Sequence, residues 1–439
     1  MTYAETLEFL FGRLPMFQRS GPAAYKPDLG NTIKLCSILG DPHIGLKCIH
    51  IAGTNGKGST SHFLAAILQQ AGYKTGLFTS PHLKDFRERI RIDGNMISEN
   101  EVIDFVTEYH DRFMVVGLSF FEMTAGLAFH HFKQNKTDIA IIETGLGGRL
   151  DSTNVVSPVL SIITNIGFDH ISLLGNTLEQ IAFEKAGIIK QNTPVIIGEK
   201  NINSTKVFIE KAKEKNAKII WAEESVSLSQ INYADNSNYI LKFNALIAGV
   251  ESIENIESGL SGSYQISNVR TVLTTISELK KLELNIPESA IQDGFRDVVK
   301  LTGLRGRWEK IGTCPTTICD AAHNEHGITQ LLKQVSMMKF RQLRIVFGTV
   351  SDKDILPILE LLPKEAIYYF CNADILRSMK AKELKSKGNE VGLKGLSYPS
   401  VEKALLAARM ESQKGDMVLV TGSIFVVGEA LENVPDQFP

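Results

Sequence analysis

The stretch Gly53-Thr54-Asn55-Gly56-Lys57-Gly58-Ser59 has the residue types that hold phosphate. Glycines let backbone N–H groups turn toward an anion, and a helix starting there adds partial positive charge. Lys57 can reach the β- and γ-phosphates of a nucleotide. The spacing departs from GxxxxGK[ST], because Ile51 stands at the first glycine position and Gly58 separates Lys57 from Ser59. A glycine-rich turn with a solvated lysine is the plainer alternative. Three more groups follow apolar runs: Ser80 in TSPH, Glu143 in IIETGLGG, and Asp169-His170. A hydroxyl, a carboxylate and an imidazole are candidate Mg²⁺ ligands, imidazole being the less usual. Ser80 before Pro81 also suits an ordinary turn, and His170 a hydrogen-bonded loop. Glu143, after four apolar residues, needs a partner wherever it points.

The elements around these groups follow from periodicity. Residues 47–52 read as a buried strand. Phe63, Leu64, Ile67, Leu68 and Ala71 then mark one helix face, Gly72 ends the helix, and residues 74–79 form the next strand. A strand-loop-helix-strand unit requires a parallel sheet. Further strands are predicted at 138–143, 159–164, 194–198 and 218–221, with capped helices starting at Ser98 (with Glu101) and Thr177 (with Gln180). Residues 225–258 read as a β-rich surface excursion, and 264–281 and 287–299 as helices. After a Gly- and Arg-rich linker at 301–306, a second alternation begins. Its strands are predicted near 307–312, 316–320, 344–348, 366–371 and 417–421, with helices from Glu325, Asp352 and Ser400. The expected fold is α/β. An N-terminal P-loop mononucleotide-binding parallel-sheet domain covers 1–300, and a smaller C-terminal Rossmann-like α/β domain covers 301–439. Ser80, Glu143 and Asp169-His170 then stand at the carboxyl ends of strands, beside the phosphate loop. Asn135-Lys136-Thr137-Asp138 matches a guanine-reading NKxD pattern but precedes its strand, and no DxxG occurs, so a GTPase is a poor reading.

Composition narrows the partners. The 439 residues carry 47 Lys and Arg against 49 Asp and Glu, a net charge of -2, which argues against nucleic acid or a membrane surface. The 43% hydrophobic content supports full cores. Five scattered cysteines without a CxxC pair, no basic signal-peptide region and no long apolar run predict a cytoplasmic protein. A monomer is expected.

Further segments carry a resemblance: TSPHL at 79–83, FFE at 120–122, ETGLGGRLDSTN at 143–154, EKAGI at 184–188, YQISN at 264–268, RGR at 305–307, DAAHN at 320–324, SDKD at 351–354 and GSIFVVGE at 422–429. With GTNGKGS and the Asp169-His170 pair, their order and spacing resemble the folylpolyglutamate synthase/dihydrofolate synthase family of the Mur ligase superfamily over nearly the whole chain. The resemblance implies an ATP-dependent ligase that joins L-glutamate to dihydropteroate or reduced folates through an acyl phosphate, in folate biosynthesis and one-carbon metabolism. It places Mg²⁺, at two sites, on Ser80, Glu143 and His170. It places ATP on Gly53, Thr54, Asn55, Gly56, Lys57, Gly58 and Ser59, with Asn268, Arg307 and Asp320, mainly on the first domain and capped by the second. Lys57, Lys185, His170 and His323 take catalytic roles. Lys185 matches a carbamylated lysine, and His323 a position near the glutamate site. The pterin pocket involves Ser119, Phe120, Phe121, Glu122, Leu150, Asp151 and Ser152.

Three departures stand out. Arg305 replaces the family's proline before Gly306-Arg307, Glu325 follows DAAHN in place of proline, and Tyr264 precedes the QxxN segment. On residues alone Lys185 reads better as a solvated helix lysine, Arg307 also suits a surface ion-pair partner, and Asp320 a helix cap. The segments GLGGRLDSTN and PDLG (27–30) resemble the bifunctional bacterial kind, so both activities are expected. A monofunctional folylpolyglutamate synthase or another ligase of the superfamily is the alternative. A cell-wall peptide ligase fits less well, because the 46 residues before the first strand leave little room for its usual extra domain. A non-catalytic ATP-binding module is the rival from another class.

Overall fold

The computed structural model describes residues 1–16, 28–234, 240–249 and 251–432. They form two compact units. The first contains most of Met1–Gly259 together with Gln265–Leu304, and the second contains Leu260–Tyr264 and the chain from Arg305 onward. The helix Val298–Thr302 runs across position 300, and the chain passes into the second unit at Arg305.

The first unit is built on eight strands: β1 (Cys48–Ala52), β2 (Thr75–Phe78), β3 (Ile90–Ile92), β4 (Asn95–Met96), β5 (Ile139–Glu143), β6 (Leu160–Ile163), β7 (Val195–Ile197) and β8 (Ile219–Trp221). Their order is β4-β3-β2-β5-β1-β6-β7-β8. The pairs from β2 to β8 are parallel, and β3 and β4 add an antiparallel edge. The strands β1, β2, β5 and β6 are buried throughout. That is why they read as continuous apolar runs rather than alternations.

The helix Lys57–Gln70 is buried along most of its length, so its one-sided pattern understates its packing. Helices Tyr3–Arg13, Glu99–Val116 and Phe120–Gln134 supply a core that includes Leu10, Phe105, Phe113, Phe129 and Phe132. Each such side chain contributes about 1.5–3 kcal/mol on burial. Ser98 and Thr177 cap their helices as expected. Of the PDLG motif, position 27 lies outside the described residues, and the Asp28 carboxylate accepts from the Gly30 N–H at 2.7 Å.

The region read as a surface excursion is an antiparallel sheet of β9 (Val226–Ala234), β10 (Ile240–Ile247) and β11 (Glu251–Ser258). It has a buried side of its own, with Leu241, Phe243, Ile253 and Ile256. Helices Gln265–Lys281, Glu288–Arg296 and Val298–Thr302 complete the unit.

The second unit is a six-stranded sheet of β12 (Glu309–Thr313), β13 (Thr316–Cys319), β14 (Leu343–Phe347), β15 (Ile367–Phe370), β16 (Lys394–Ser397) and β17 (Met417–Thr421), ordered β12-β13-β17-β14-β15-β16. All pairs are parallel except β12 with β13. The helix expected from Asp352 begins at Leu356. The helix Ala381–Glu390 and β16 were not anticipated, because AKELKSKGNE offers too few apolar residues to show a period.

At the amino edge of the first sheet, the Asp138 carboxylate accepts from the Lys74 N–H at 2.7 Å. The NKxD look-alike is therefore a tie between strand starts.

Candidate functional site

Four neighbouring strands, β2, β5, β1 and β6, deliver the candidate groups to one edge. Ser80 follows β2, Glu143 closes β5, the phosphate loop follows β1, and residues 164–170 follow β6. Carboxyl ends of parallel strands are where open α/β sheets bind ligands.

The loop's conformation depends on glycine at two points. Gly53 has φ 149° and an added Cβ would lie 1.8 Å from Thr164 Oγ1. Gly56 has φ 84° and a Cβ there would lie 2.3 Å from Asn268 Oδ1. Side chains from distant segments brace the loop. Asn55 N donates to Asn165 Oδ1 at 2.9 Å, and Thr164 Oγ1 donates to Asn55 O at 2.6 Å. Thr54 Oγ1 donates to Gly167 O at 3.1 Å. Gln265 Nε2 donates to Ser59 Oγ at 3.2 Å, and Asn268 Nδ2 to Gln265 Oε1 at 2.7 Å. Asn268 therefore belongs to the loop's support. Thr164, Asn165 and Gln265 are site residues that sequence reasoning missed, since nothing local marks a partner over 100 positions away.

Two lysines converge on one oxygen. Lys57 Nζ donates to Gly53 O at 3.1 Å and to Thr54 O at 3.2 Å. Lys185 Nζ, on the helix Leu178–Ala186, donates to the same Gly53 O at 2.8 Å. Lys185 is 4% exposed, which rules out the solvated reading. Burial and then the Lys57 charge lower its pKa from 10.5 to about 7, with Asp169 and Asp151 pulling the other way.

Glu143 is buried, and its Oε2 accepts from Ser80 N at 3.2 Å, so the hydroxyl-bearing residue and the carboxylate adjoin as expected. Arg89 is also buried. Desolvation lowers its pKa to about 10, and the Glu143 charge opposes that fall. Arg89 Nε donates to His82 Nδ1 at 2.7 Å, which assigns the neutral tautomer with its proton on Nε2.

Serine and carboxylate oxygens suit a hard cation such as Mg²⁺, which takes one or two protein oxygens plus substrate phosphates. Ser80 and Glu143 therefore fit that group. His170 starts a short helix with φ 52°, and its Nε2 lies 3.9 Å from Asp169 Oδ1. Among the described residues no three His, Cys, Asp or Glu side chains converge as a metal cluster.

The expected pterin-pocket residues mostly build structure. Ser119 and Glu122 form a reciprocal capping box at the start of the helix Phe120–Gln134, with Ser119 N donating to Glu122 Oε2 at 2.6 Å. Asp151 is buried and accepts from Leu146 N at 2.8 Å, Thr153 N at 3.0 Å and Thr153 Oγ1 at 2.5 Å. Thr153 Oγ1 in turn lies 2.8 Å from Nε2 of His50, which burial holds neutral with a pKa of about 3. This buried chain of bonds shapes the turn that carries half-buried Leu150 and Ser152. The Phe121 ring packs on Phe78, centroids 5.9 Å apart, and Arg89 lies over the Phe120 ring at 5.1 Å.

In the second unit, Asp320 follows β13 and is buried, and burial raises its pKa. It accepts from Tyr264 Oη at 2.5 Å, Trp308 N at 2.8 Å and Ala322 N at 2.9 Å. Asp320 is not the helix cap. Asn324 caps the helix Glu325–Ser336, its Oδ1 accepting from Gly327 N at 2.8 Å. Arg307 donates from Nη1 to Gly306 O at 3.1 Å, and His323 Nδ1 lies 2.9 Å from Ala321 O.

Comparison with known proteins agrees with this geometry. A Mur ligase middle-domain model matches residues 51–276, and a Mur ligase glutamate-ligase-domain model matches 306–424. A dihydrofolate synthase/folylpolyglutamate synthase of Bacillus subtilis is 32% identical over 97% of this chain and 98% of its own. A probable bifunctional folylpolyglutamate synthase/dihydropteroate synthase of Haloferax volcanii is 32% identical over 98% of this chain, which spans only 50% of that protein. Among solved structures, Escherichia coli FolC in complex with DHPP and ADP aligns with a TM-score of 0.85 and 29% identity, covering 98% of this chain and 97% of that one. A Yersinia pestis bifunctional enzyme complexed with AMPPNP and a Mn ion aligns at 0.83 with 28% identity, covering 98% of both. By sequence over nearly its full length and by fold, the chain belongs to the dihydrofolate synthase/folylpolyglutamate synthase family of Mur ligases.

Proposed function

We propose that this protein is an ATP-dependent ligase that forms an amide between L-glutamate and the carboxylate of dihydropteroate and of reduced folates. The observation that carries the reading is the edge formed by β2, β5, β1 and β6, where a braced phosphate loop stands beside the Ser80–Glu143 pair. Both activities on one chain follow from its likeness to bifunctional relatives.

The chemistry divides into two steps. A carboxylate resists attack by an amine because oxide is a poor leaving group. An acceptor carboxylate oxygen therefore bonds to the γ-phosphorus of ATP, the bridging bond to ADP breaks, and an acyl phosphate forms. The glutamate amine attacks the acyl carbon, phosphate leaves, and the amine loses a proton. The first step needs positioning and charge neutralisation. The loop N–H groups and the N-terminus of the helix Lys57–Gln70 hold phosphate oxygens, and Lys57 turns from the Gly53 and Thr54 carbonyls toward the γ-phosphate. Ser80 and Glu143 would hold Mg²⁺, which when bound would supply neutralising charge at the phosphates. Asn268 keeps the loop in its binding shape.

Burial and the Lys57 charge lower the Lys185 pKa to about 7, which favours the neutral amine that addition to CO₂ requires. Carbamylation would replace a cation with an anionic oxygen next to Lys57. His170 and that carbamate are the proposed holders of a second Mg²⁺. In the second unit, Arg307 and Asp320 are proposed nucleotide contacts and His323 a glutamate-site residue. Monomeric state and cytoplasmic location belong to the same reading. Among the described residues no helix is long and apolar enough to cross a membrane.

Phosphate release from ATP, measured with L-glutamate and either 7,8-dihydropteroate, tetrahydrofolate or no acceptor, tests the proposal. Release with both acceptors and a one-glutamate mass gain supports the bifunctional reading. Release with one acceptor limits the enzyme to that activity, and none with either refutes the ligase.

A further inference from the structure

The mechanism above leaves one buried imidazole unused. His50 lies on β1, three residues before Gly53 of the phosphate loop, and is 0% exposed. Its main chain pairs with Ile142 on β5 and with Ser161 on β6, so its backbone is held on both sides. Its Nε2 lies 2.8 Å from Thr153 Oγ1. The single Thr153 hydroxyl proton goes to Asp151 Oδ1 at 2.5 Å, so Thr153 Oγ1 accepts from His50 and the imidazole proton is on Nε2. Nδ1 is then a bare acceptor, and among the described residues it meets no hydrogen-bond partner. The chain has one direction: His50 donates to Thr153, and Thr153 donates to Asp151.

This chain ends in the turn that follows β5. Asp151 Oδ2 accepts from Leu146 N at 2.8 Å, and Oδ1 from Thr153 N at 3.0 Å. The far side of the turn is tied to the helix Leu178–Ala186 and the residue after it. Arg149 N donates to Glu184 O at 2.7 Å, and Asn154 Nδ2 donates to Arg149 O at 3.0 Å and to Gly187 O at 3.1 Å. Leu150 and Ser152, expected to line the pterin pocket, stand between these anchors. The anchor from β1 is His50. The reaction supplies a reason for it. The acceptor carboxylate must come within about 3–3.5 Å of the γ-phosphorus, and a misplacement of about 1 Å costs on the order of a hundredfold in rate. The acceptor rests on the turn after β5, and the phosphates rest on the loop after β1. A bond from β1 to that turn therefore sets the spacing of the two reactants.

We propose that His50 is a positioning residue which, through Thr153 and Asp151, holds the turn that receives the pterin-bearing acceptor at a fixed place relative to the phosphate loop. This assignment rests on the ligase reading and deepens it.

Initial rates of His50→Phe, His50→Gln, Thr153→Val and the His50→Phe/Thr153→Val double variant test it, with 7,8-dihydropteroate and tetrahydrofolate as acceptors. ADP affinity by calorimetry and thermal melting are measured alongside. His50→Phe should lower kcat/KM for both acceptors about 10–100-fold, while ADP affinity and KM for L-glutamate stay within about twofold. A Gln side chain carries a donor at about the reach of Nε2, so His50→Gln should recover part of the loss. Thr153→Val breaks the same chain, so the double variant should lose little more than the worse single one. Imidazole ¹⁵N shifts of the wild type, with the His50 signals assigned by their loss in His50→Gln, should show the proton on Nε2. A proton on Nδ1 overturns the assignment, whatever the stability of the variants. So do losses that add in the double variant. Equal losses in acceptor use and ADP affinity, with a lowered melting temperature, also overturn it and leave a packing role. A wild type without acceptor-dependent turnover refutes the ligase reading and this assignment together. An active wild type with an unaffected His50→Phe refutes the assignment alone.

Discussion

Lys185 is expected to titrate near neutrality in protein without nucleotide or metal. Its Nζ donates to Gly53 O at 2.8 Å, and Lys57 Nζ donates to the same oxygen at 3.1 Å. Burial comes first and the Lys57 charge second in lowering the pKa to about 7. About half the molecules then carry a neutral amine at pH 7, against roughly one in 2,500 for a lysine of ordinary pKa. Neutral-amine reactions such as carbamate formation gain about a thousandfold from that fraction alone.

The sign of the stability effect follows. Between about 7 and 10.5 the unfolded chain holds the Lys185 proton and the folded chain does not, so stability rises with pH through that window. An NMR titration of Cε-labelled lysine, with the Lys185 signal assigned by its loss in Lys185→Arg, reads the midpoint directly. Lys57→Met should move it upward by removing the neighbouring cation. A midpoint above about 9, or no response to Lys57→Met, would refute the electrostatic reasoning.

Other substitutions separate the parts of the site and scaffold. Glu143→Ala should lower Mg-dependent turnover by more than about a hundredfold and abolish Mn²⁺ binding seen by EPR, with circular dichroism unchanged. Near-normal turnover of the folded variant contradicts the metal assignment. Gly56→Ala places a Cβ 2.3 Å from Asn268 Oδ1 at φ 84°. The left-handed backbone adds about 1–2 kcal/mol of strain, and ADP affinity by calorimetry should fall about tenfold or more. An unchanged affinity would mean the loop tolerates the displacement. Asp416→Ala removes the carboxylate that accepts from Arg341 Nε at 2.9 Å and from the buried Arg344 Nε at 3.0 Å. Leaving Arg344 buried without that partner should cost about 3–5 kcal/mol in urea unfolding, and a loss under about 1 kcal/mol would contradict it.

Much of this arrangement was readable from residues because local physics dictated it. Cys48–Ala52 and the helix Lys57–Gln70 follow from an apolar run and a helical period on either side of a glycine-rich turn. Ser98 and Thr177 announced their helices by a side chain placed to cap the backbone. Ser119 and Glu122 carried the same signal, yet the resemblance assigned them to a pocket, and the helix they start went unread. Asp320 and Asn324 are four residues apart with similar capping chemistry, but the helix starts at Glu325, so Asn324 caps it while Asp320 accepts from Tyr264, Trp308 and Ala322. The support of the phosphate loop by Thr164, Asn165 and Gln265 was invisible, because strand order brings them there rather than spacing. Lys185 is a similar case, since its burial and its shared oxygen depend on a fold that brings positions 53 and 185 together.

The transfer of an acceptor oxygen to phosphate is the most direct measurement of the proposed chemistry. With both carboxylate oxygens of dihydropteroate labelled with ¹⁸O, turnover with ATP and L-glutamate should give phosphate carrying one ¹⁸O and a product lengthened by one glutamate. Unlabelled phosphate, or ATP cleavage that does not depend on the acceptor, would contradict an acyl-phosphate ligase.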